Sequence, residues 1–138
     1  MKHIIMTILL LGALSPLPVG GTRPPSVAIT TTPETVRAPP PDCETPYPEA
    51  ACAPTSPLIK LAATTDGFTT HGLTFKYAVT RGAVVGHGPD VTWDLTGLHP
   101  GVYEVRVEVE DGRGGRAAGS KKVAVTRCTC PQVPPPLG

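Results

Sequence analysis

Asparagine is absent from all 138 residues. Its absence excludes N-linked glycosylation and leaves the turns to Gly, Asp and Pro. Aromatic residues are scarce, at one Trp, three Tyr and two Phe, so few positions can build the exposed platforms that carbohydrate binding usually needs. Neither charge is in excess: twelve Lys and Arg stand against eleven Asp and Glu. A near-neutral chain argues against nucleic acid or an anionic membrane as the main partner. No G-x-S-x-G nucleophile motif occurs, and Ser26, Ser56 and Ser120 have no His and Asp partners close in sequence. Nothing after the first 21 residues has helical periodicity.

Long hydrophobic runs are missing as well, with one exception. Ile4–Leu14 is apolar, follows the basic Lys2 and precedes small residues at Val19 and Gly21. This is the pattern of a secretory leader over 1–21, with Thr22 as the first mature residue. An uncleaved N-terminal anchor is the alternative. Once the leader is removed no membrane span is expected, and eleven basic residues balance eleven acidic ones. Export to an oxidising compartment makes disulfides the expected state of Cys43, Cys52, Cys128 and Cys130. Zinc is the weaker reading, because its sites use C-x2-4-C pairs and the spacings here are C-x8-C and C-x-C. Cys128 and Cys130 extend one strand and project to the same side, too close in sequence to bridge each other without strain. Each is therefore expected to take a partner from Cys43 and Cys52, in an order that the spacing leaves open.

Gly101–Asp111 is the clearest element. Tyr103, Val105, Val107 and Val109 alternate with Glu104, Arg106, Glu108 and Glu110. A period of two makes a strand with one dry and one wet face. Around it, Ser26–Thr31, Leu58–Thr64, Leu73–Thr80, Ala83–Val85, Val91–Leu95 and Ser120–Thr126 read as further strands. Phe75, Tyr77, Trp93 and Tyr103 fall on their inward faces. The spacing predicts an all-β sandwich of about seven strands over 26–130, after a linker at 22–25. Residues 33–57 form a Pro-rich crossover with too few N–H groups for regular structure, and 131–138 is a Pro-rich tail. With Asp111–Gly119 as a hairpin loop, Glu108 is expected opposite or near Lys122.

The run from Leu73 to Val125 resembles the PKD family of Ig-like domains, common in secreted and surface proteins of bacteria and in animal polycystins. The residues that carry the likeness are Tyr77-Ala-Val, Val91–Leu98 (VTWDLTGL), Pro100-Gly-Val-Tyr103-Glu-Val and Val109-Glu-Asp-Gly112. It is most similar to a bacterial variant with cysteines before the second strand and after the last. Two departures are plain: the WDFGDG motif is replaced by Ala78–Gly82, and the acidic DPDGD-like turn is reduced to Thr65-Asp66-Gly67. The resemblance implies a Greek-key sandwich in which the Tyr103 hydroxyl returns to a nearby backbone group. An ordinary core aromatic with a wet hydroxyl is the alternative.

Catalytic, cofactor and metal sites are not expected. His71, His87 and His99 sit beside Gly or Pro in loops, and Asp66, Asp90, Asp94 and Asp111 lack the short alternating spacing of a calcium loop. Arg113-Gly-Gly-Arg116 resembles an RGG segment but occurs once, in a hairpin loop. Tyr47 and Phe68 remain as possible ligand contacts. The expected role is a non-enzymatic exported spacer or interaction domain meeting proteins or glycans of a bacterial envelope or cell surface. The alternatives are a carbohydrate- or peptide-binding module and, remotely, a small secreted enzyme.

Overall fold

A computed structural model describes residues 23–43, 52–68, 72–132 and 136–138. The leader at 1–21, Tyr47 and His71 lie outside the described residues. Eight strands follow one another, without helices among the described residues: β1 (Ser26–Thr32), β2 (Thr35–Ala38), β3 (Leu58–Asp66), β4 (Thr74–Val79), β5 (Ala83–Val85), β6 (Asp90–Asp94), β7 (Gly101–Glu110) and β8 (Arg116–Arg127). They form two sheets of order β1-β3-β6-β5 and β2-β8-β7-β4. The second sheet contains a parallel pair, β2 with β8, and all the other pairings are antiparallel. This is the ABED and CFG arrangement of an Ig-like sandwich, with the first strand divided between the sheets.

The dry faces meet in the core. Val105, Val107 and Val109 of β7 are fully buried, as are Ile59, Leu61 and Trp93 from the facing sheet. Each such side chain contributes about 1.5–3 kcal/mol by leaving water. The Trp93 ring donates its Nε1–H to the Arg81 carbonyl at 2.9 Å, so the indole is buried without an orphaned donor. Gly82 supports this contact. Its φ of +81° is left-handed, and a Cβ there would collide with the Asp94 carbonyl. At the other edge Gly119 lets β8 approach β1, since its Cβ would come within 2.7 Å of the Val27 carbonyl oxygen. Tyr103 donates its hydroxyl to the His99 carbonyl at 2.6 Å, four residues upstream, which is the tyrosine-corner geometry.

Two expectations need correction. The crossover at 33–57 is not irregular throughout, because Thr35–Ala38 pairs in parallel with Ala124–Arg127. Pro33 and Pro39 bracket these four residues without removing any of their N–H groups, and Val36 inserts into the core at 2% exposure. The hairpin loop is also shorter than 111–119. β8 begins at Arg116 because the Asp111 carboxylate accepts from the Arg113 and Gly115 backbone N–H groups, both at 2.8 Å, and closes the turn. The register consequently places Glu104, not Glu108, opposite Lys122, and Glu108 faces Ala118. The displacement is four residues, an even number, so every side chain keeps its expected face.

The wet faces differ. On the β2-β8-β7-β4 sheet, ion pairs join Arg116 to Glu110 at 2.8 Å, Arg106 to Glu108 at 3.5 Å and Lys122 to Glu104 at 3.9 Å. The other sheet presents Thr30, Thr32, Thr64 and Thr92. Inside, Thr31 is 6% exposed and its hydroxyl has no hydrogen-bond partner.

Replacing Thr31 by Val should raise stability by about 1 kcal/mol in denaturant unfolding, because it removes an unsatisfied buried hydroxyl at nearly constant shape. A loss of stability would show that the hydroxyl is satisfied in solution. The register is checked by double-mutant cycles: Glu104 with Lys122 should couple by about 0.2–1 kcal/mol, and Glu108 with Lys122 by nothing measurable.

Candidate functional site

Catalytic chemistry has little to work with among the described residues. The Ser56 hydroxyl accepts the Leu58 N–H at 3.2 Å, a local turn contact. His87 and His99 are exposed, and among the described residues no three His, Cys, Asp or Glu side chains converge on a metal position. The carboxylates serve turns and ion pairs. Asp94 accepts the Thr96 backbone N–H at 2.9 Å, and hydrogen bonds from the Thr96 side chain and backbone hold its carboxyl below the usual range. Asp66 reaches Arg23 at 3.4 Å in an exposed pair. Burial pushes the Tyr77 phenol above its ordinary value, with the Asp90 charge adding to it, and its hydroxyl donates to the Gly88 carbonyl at 2.9 Å.

The other residues singled out from the sequence fall into place structurally. Phe75, Tyr77 and Tyr103 are half-buried against the core, and Trp93 is fully buried. Phe68 is also half-buried and packs on the core, while bordering a shallow depression with Leu73. It is therefore not an open aromatic platform.

The cysteines are joined as Cys43–Cys130 and Cys52–Cys128, with Cα separations of 5.5 and 6.2 Å, and no described cysteine is free. Both bonds lie just past the end of β8 and tie the crossover to it. Thr55 adds to the tie by donating its backbone N–H to the Arg37 carbonyl at 3.0 Å and accepting the Arg37 N–H on its hydroxyl at 2.7 Å. Pro57 accepts the Leu95 N–H at 3.0 Å and so holds the crossover against the β6–β7 corner.

These ties leave a groove of about 410 Å³ at the same end of the sandwich. Its apolar floor comes from Val36, Ala38, Leu95, Leu98 and Val125, and Pro39, Pro54 and Pro57 wall it. Arg37, Arg127 and His99 border it, and none of its described lining residues is acidic. Sequence reading missed the groove because its walls lie in the crossover, where neither periodicity nor a motif marks a surface. The available signals were Val36 among prolines and Leu98 ahead of the His99-Pro100 corner.

The two bonds are nested, which makes their loss non-additive. The first to form closes a loop with a sequence separation of 87 or 76 residues. The chain-entropy model assigns that closure about 4.5 kcal/mol, and the second bond, which closes only a ring of roughly a dozen residues, about 3 kcal/mol. Removing either pair by Cys→Ser should therefore cost up to about 3 kcal/mol in denaturant unfolding, and removing both about 7 kcal/mol. Strictly additive losses would show that the bonds act by local packing instead.

No family model matches the chain, and no curated protein matches it. Among solved structures, the solution structure of the PKD domain from human KIAA0319 is similar to it over 87% of this chain and 98% of that one, at 14% sequence identity and a TM-score of 0.48. By its own strand order the chain is an all-β, two-sheet Ig-like sandwich, and a PKD domain is its structural neighbour.

Proposed function

We propose that this protein is an exported, non-enzymatic module that spaces and docks other components at a bacterial envelope or cell surface. The observation that carries this reading is the direction of the chain through the fold. The described chain comes in beside the β3 end and the β7–β8 turn, where Ser26 pairs with Asp66 and Gly119 approaches Val27. It leaves past Arg127 at the opposite end, where the groove and both disulfides lie. The twelve residues of β8 span the distance between, about 40 Å at strand rise. A rigid body whose ends face in opposite directions, continued by Pro-rich segments, holds its neighbours apart.

Two disulfides fit an oxidising compartment, and no helix among the described residues is long and apolar enough to cross a membrane. The apolar Ile4–Leu14 run supports a cleaved leader. The binding role rests on the groove, where the edge of the core reaches the surface through the half-buried Ala38 and Leu98. The alternative of a carbohydrate-binding module has less support, since Phe68 packs inward and the remaining described aromatics serve the core.

Expression of the full chain in an exporting bacterium, followed by intact-mass analysis of the envelope and medium fractions, tests the reading. The expected species begins at Thr22 and lacks the mass of four thiol hydrogens. Retention in the cytoplasm with four free thiols would overturn it. On immobilised oxidised protein, envelope proteins or glycans should be retained and then lost with Leu98→Glu, whose melting temperature should fall while unfolding stays cooperative. Retention that ignores this substitution would remove the groove from the binding role.

A further inference from the structure

β1, β2, β4 and β5 end the two sheets, and they are not equally protected. Gly119 brings β8 against β1, and Thr55 occupies the N–H and carbonyl of Arg37 on β2. β5 is three residues long and lies between left-handed Gly82 and Gly86. β4 has six residues in continuous register with β7, and no proline, bulge or inward charge blunts it. Ladder parity shows which of its groups are open. Thr80 donates its N–H to the Glu104 carbonyl at 3.0 Å, and bonded pairs alternate along an antiparallel ladder. Ala78, Lys76 and Thr74 are therefore bonded to β7, while the N–H and C=O groups of Phe75, Tyr77 and Val79 point away from it. Among the described residues no loop or turn backbone group bonds to any of them.

We propose that the β4 edge takes an extended segment of a partner protein as a fifth strand. The segment carries aliphatic side chains at alternate positions and a carboxylate opposite Lys76. This goes beyond the groove and rests on reading the chain as an interaction module. Outward N–H and C=O groups on every second residue are matched by another extended backbone. Inward side chains of the added strand lie against Phe75, Tyr77 and Val79, which are half-buried and still have apolar surface to remove from water. Charge then separates a partner from a second copy. Lys76 stands opposite Glu108, but Glu108 reaches Arg106 at 3.5 Å, and Lys76 has no ion-pair partner among the described residues. The run from Leu73 to Pro89, which supplies β4 and β5, contains Lys76, Arg81 and His87 and no acidic residue. Asp90, the next carboxylate along the chain, belongs to the other sheet. Two copies meeting along β4 would set two such cationic flanks together, and one antiparallel register would place Lys76 opposite Lys76. A segment with Asp or Glu at that position removes the conflict.

The test uses the full, oxidised, leader-free protein, 15N-labelled, with blocked peptides that alternate valine with glutamate or with lysine. Without peptide, the amides of Phe75, Tyr77 and Val79 should exchange with solvent faster than those of Lys76 and Ala78. The glutamate peptide, at about ten times its dissociation constant, should slow those three amides by about tenfold, and its backbone N-methylated form should not. The lysine peptide should bind more weakly by up to about fivefold, and Lys76→Gln, at an exposed position, should remove that preference. Val79→Pro deletes an outward N–H and no ladder bond, so unfolding should stay cooperative while peptide affinity falls. Four results would overturn the proposal: no slowing at the three amides, equal slowing by the N-methylated peptide, equal affinity for glutamate and lysine peptides, or slowing that grows with protein concentration without peptide. The last would assign the edge to a second copy of this chain. Failure here together with Leu98-dependent retention of envelope components would leave the module reading standing and remove only the strand-addition site.

Discussion

Between Pro39 and Pro57 the chain has too few N–H groups to hold itself in a sheet, and it is tied down by the Cys43–Cys130 and Cys52–Cys128 bonds. Much else at that end follows from this constraint. With the crossover tied to the end of β8, Val36 can seat in the core and Thr55 can cap Arg37. Pro57 can then accept from Leu95, which sets the corner that leads into β7. The groove is what remains between segments held apart by these fixed points. A crossover of similar length without cystines would have to supply its own hydrophobic anchors, and its sequence has few.

The sandwich behind the groove relies on a different principle. Two-residue alternation in β7 sends its valines inward and its glutamates outward, and β3, β6 and β8 complement it. This part was legible in the sequence because alternation needs no knowledge of partners. Trp93 and Tyr103 could be placed inward on pattern alone, and the Tyr103 hydroxyl could be matched to a backbone acceptor through its Pro100-Gly101 corner. What could not be read was relational. The hairpin register depended on whether Asp111 would fold its carboxylate over Gly115, and alternation is blind to even shifts. β2 was hidden because proline density was read over the whole crossover, when only the four residues between Pro33 and Pro39 mattered. The order of the cystine pairs was open in the sequence because both orders satisfy the same spacing.

The candidate site shows the same division. Residues proposed from chemical type, such as Phe68, turned out to serve packing. The groove was assembled from residue types that carry no chemical signal individually, brought together by cystines and by three prolines. On the open face of the β2-β8-β7-β4 sheet Arg106 and Arg116 reach glutamates, while Arg37 and Arg127 have no ion-pair partner among the described residues.

The outer cystine also governs how the module responds to tension. A pull on its two ends runs through β1 and β2 to Cys43 and crosses directly to Cys130, bypassing a stretch with a sequence separation of 87 residues. Only the chain from Ser26 to Cys43 lies on the loaded path, so the length it can release is about 60 Å. Without that bond the inner cystine would still limit the release to about 100 Å, and without both the chain from Ser26 to Cys130 would pay out about 370 Å of contour. Under load the oxidised protein is thus a short tether with a hard stop. Its β3 to β8 body, which forms most of the core, stays off the line of force even after β1 and β2 have peeled away.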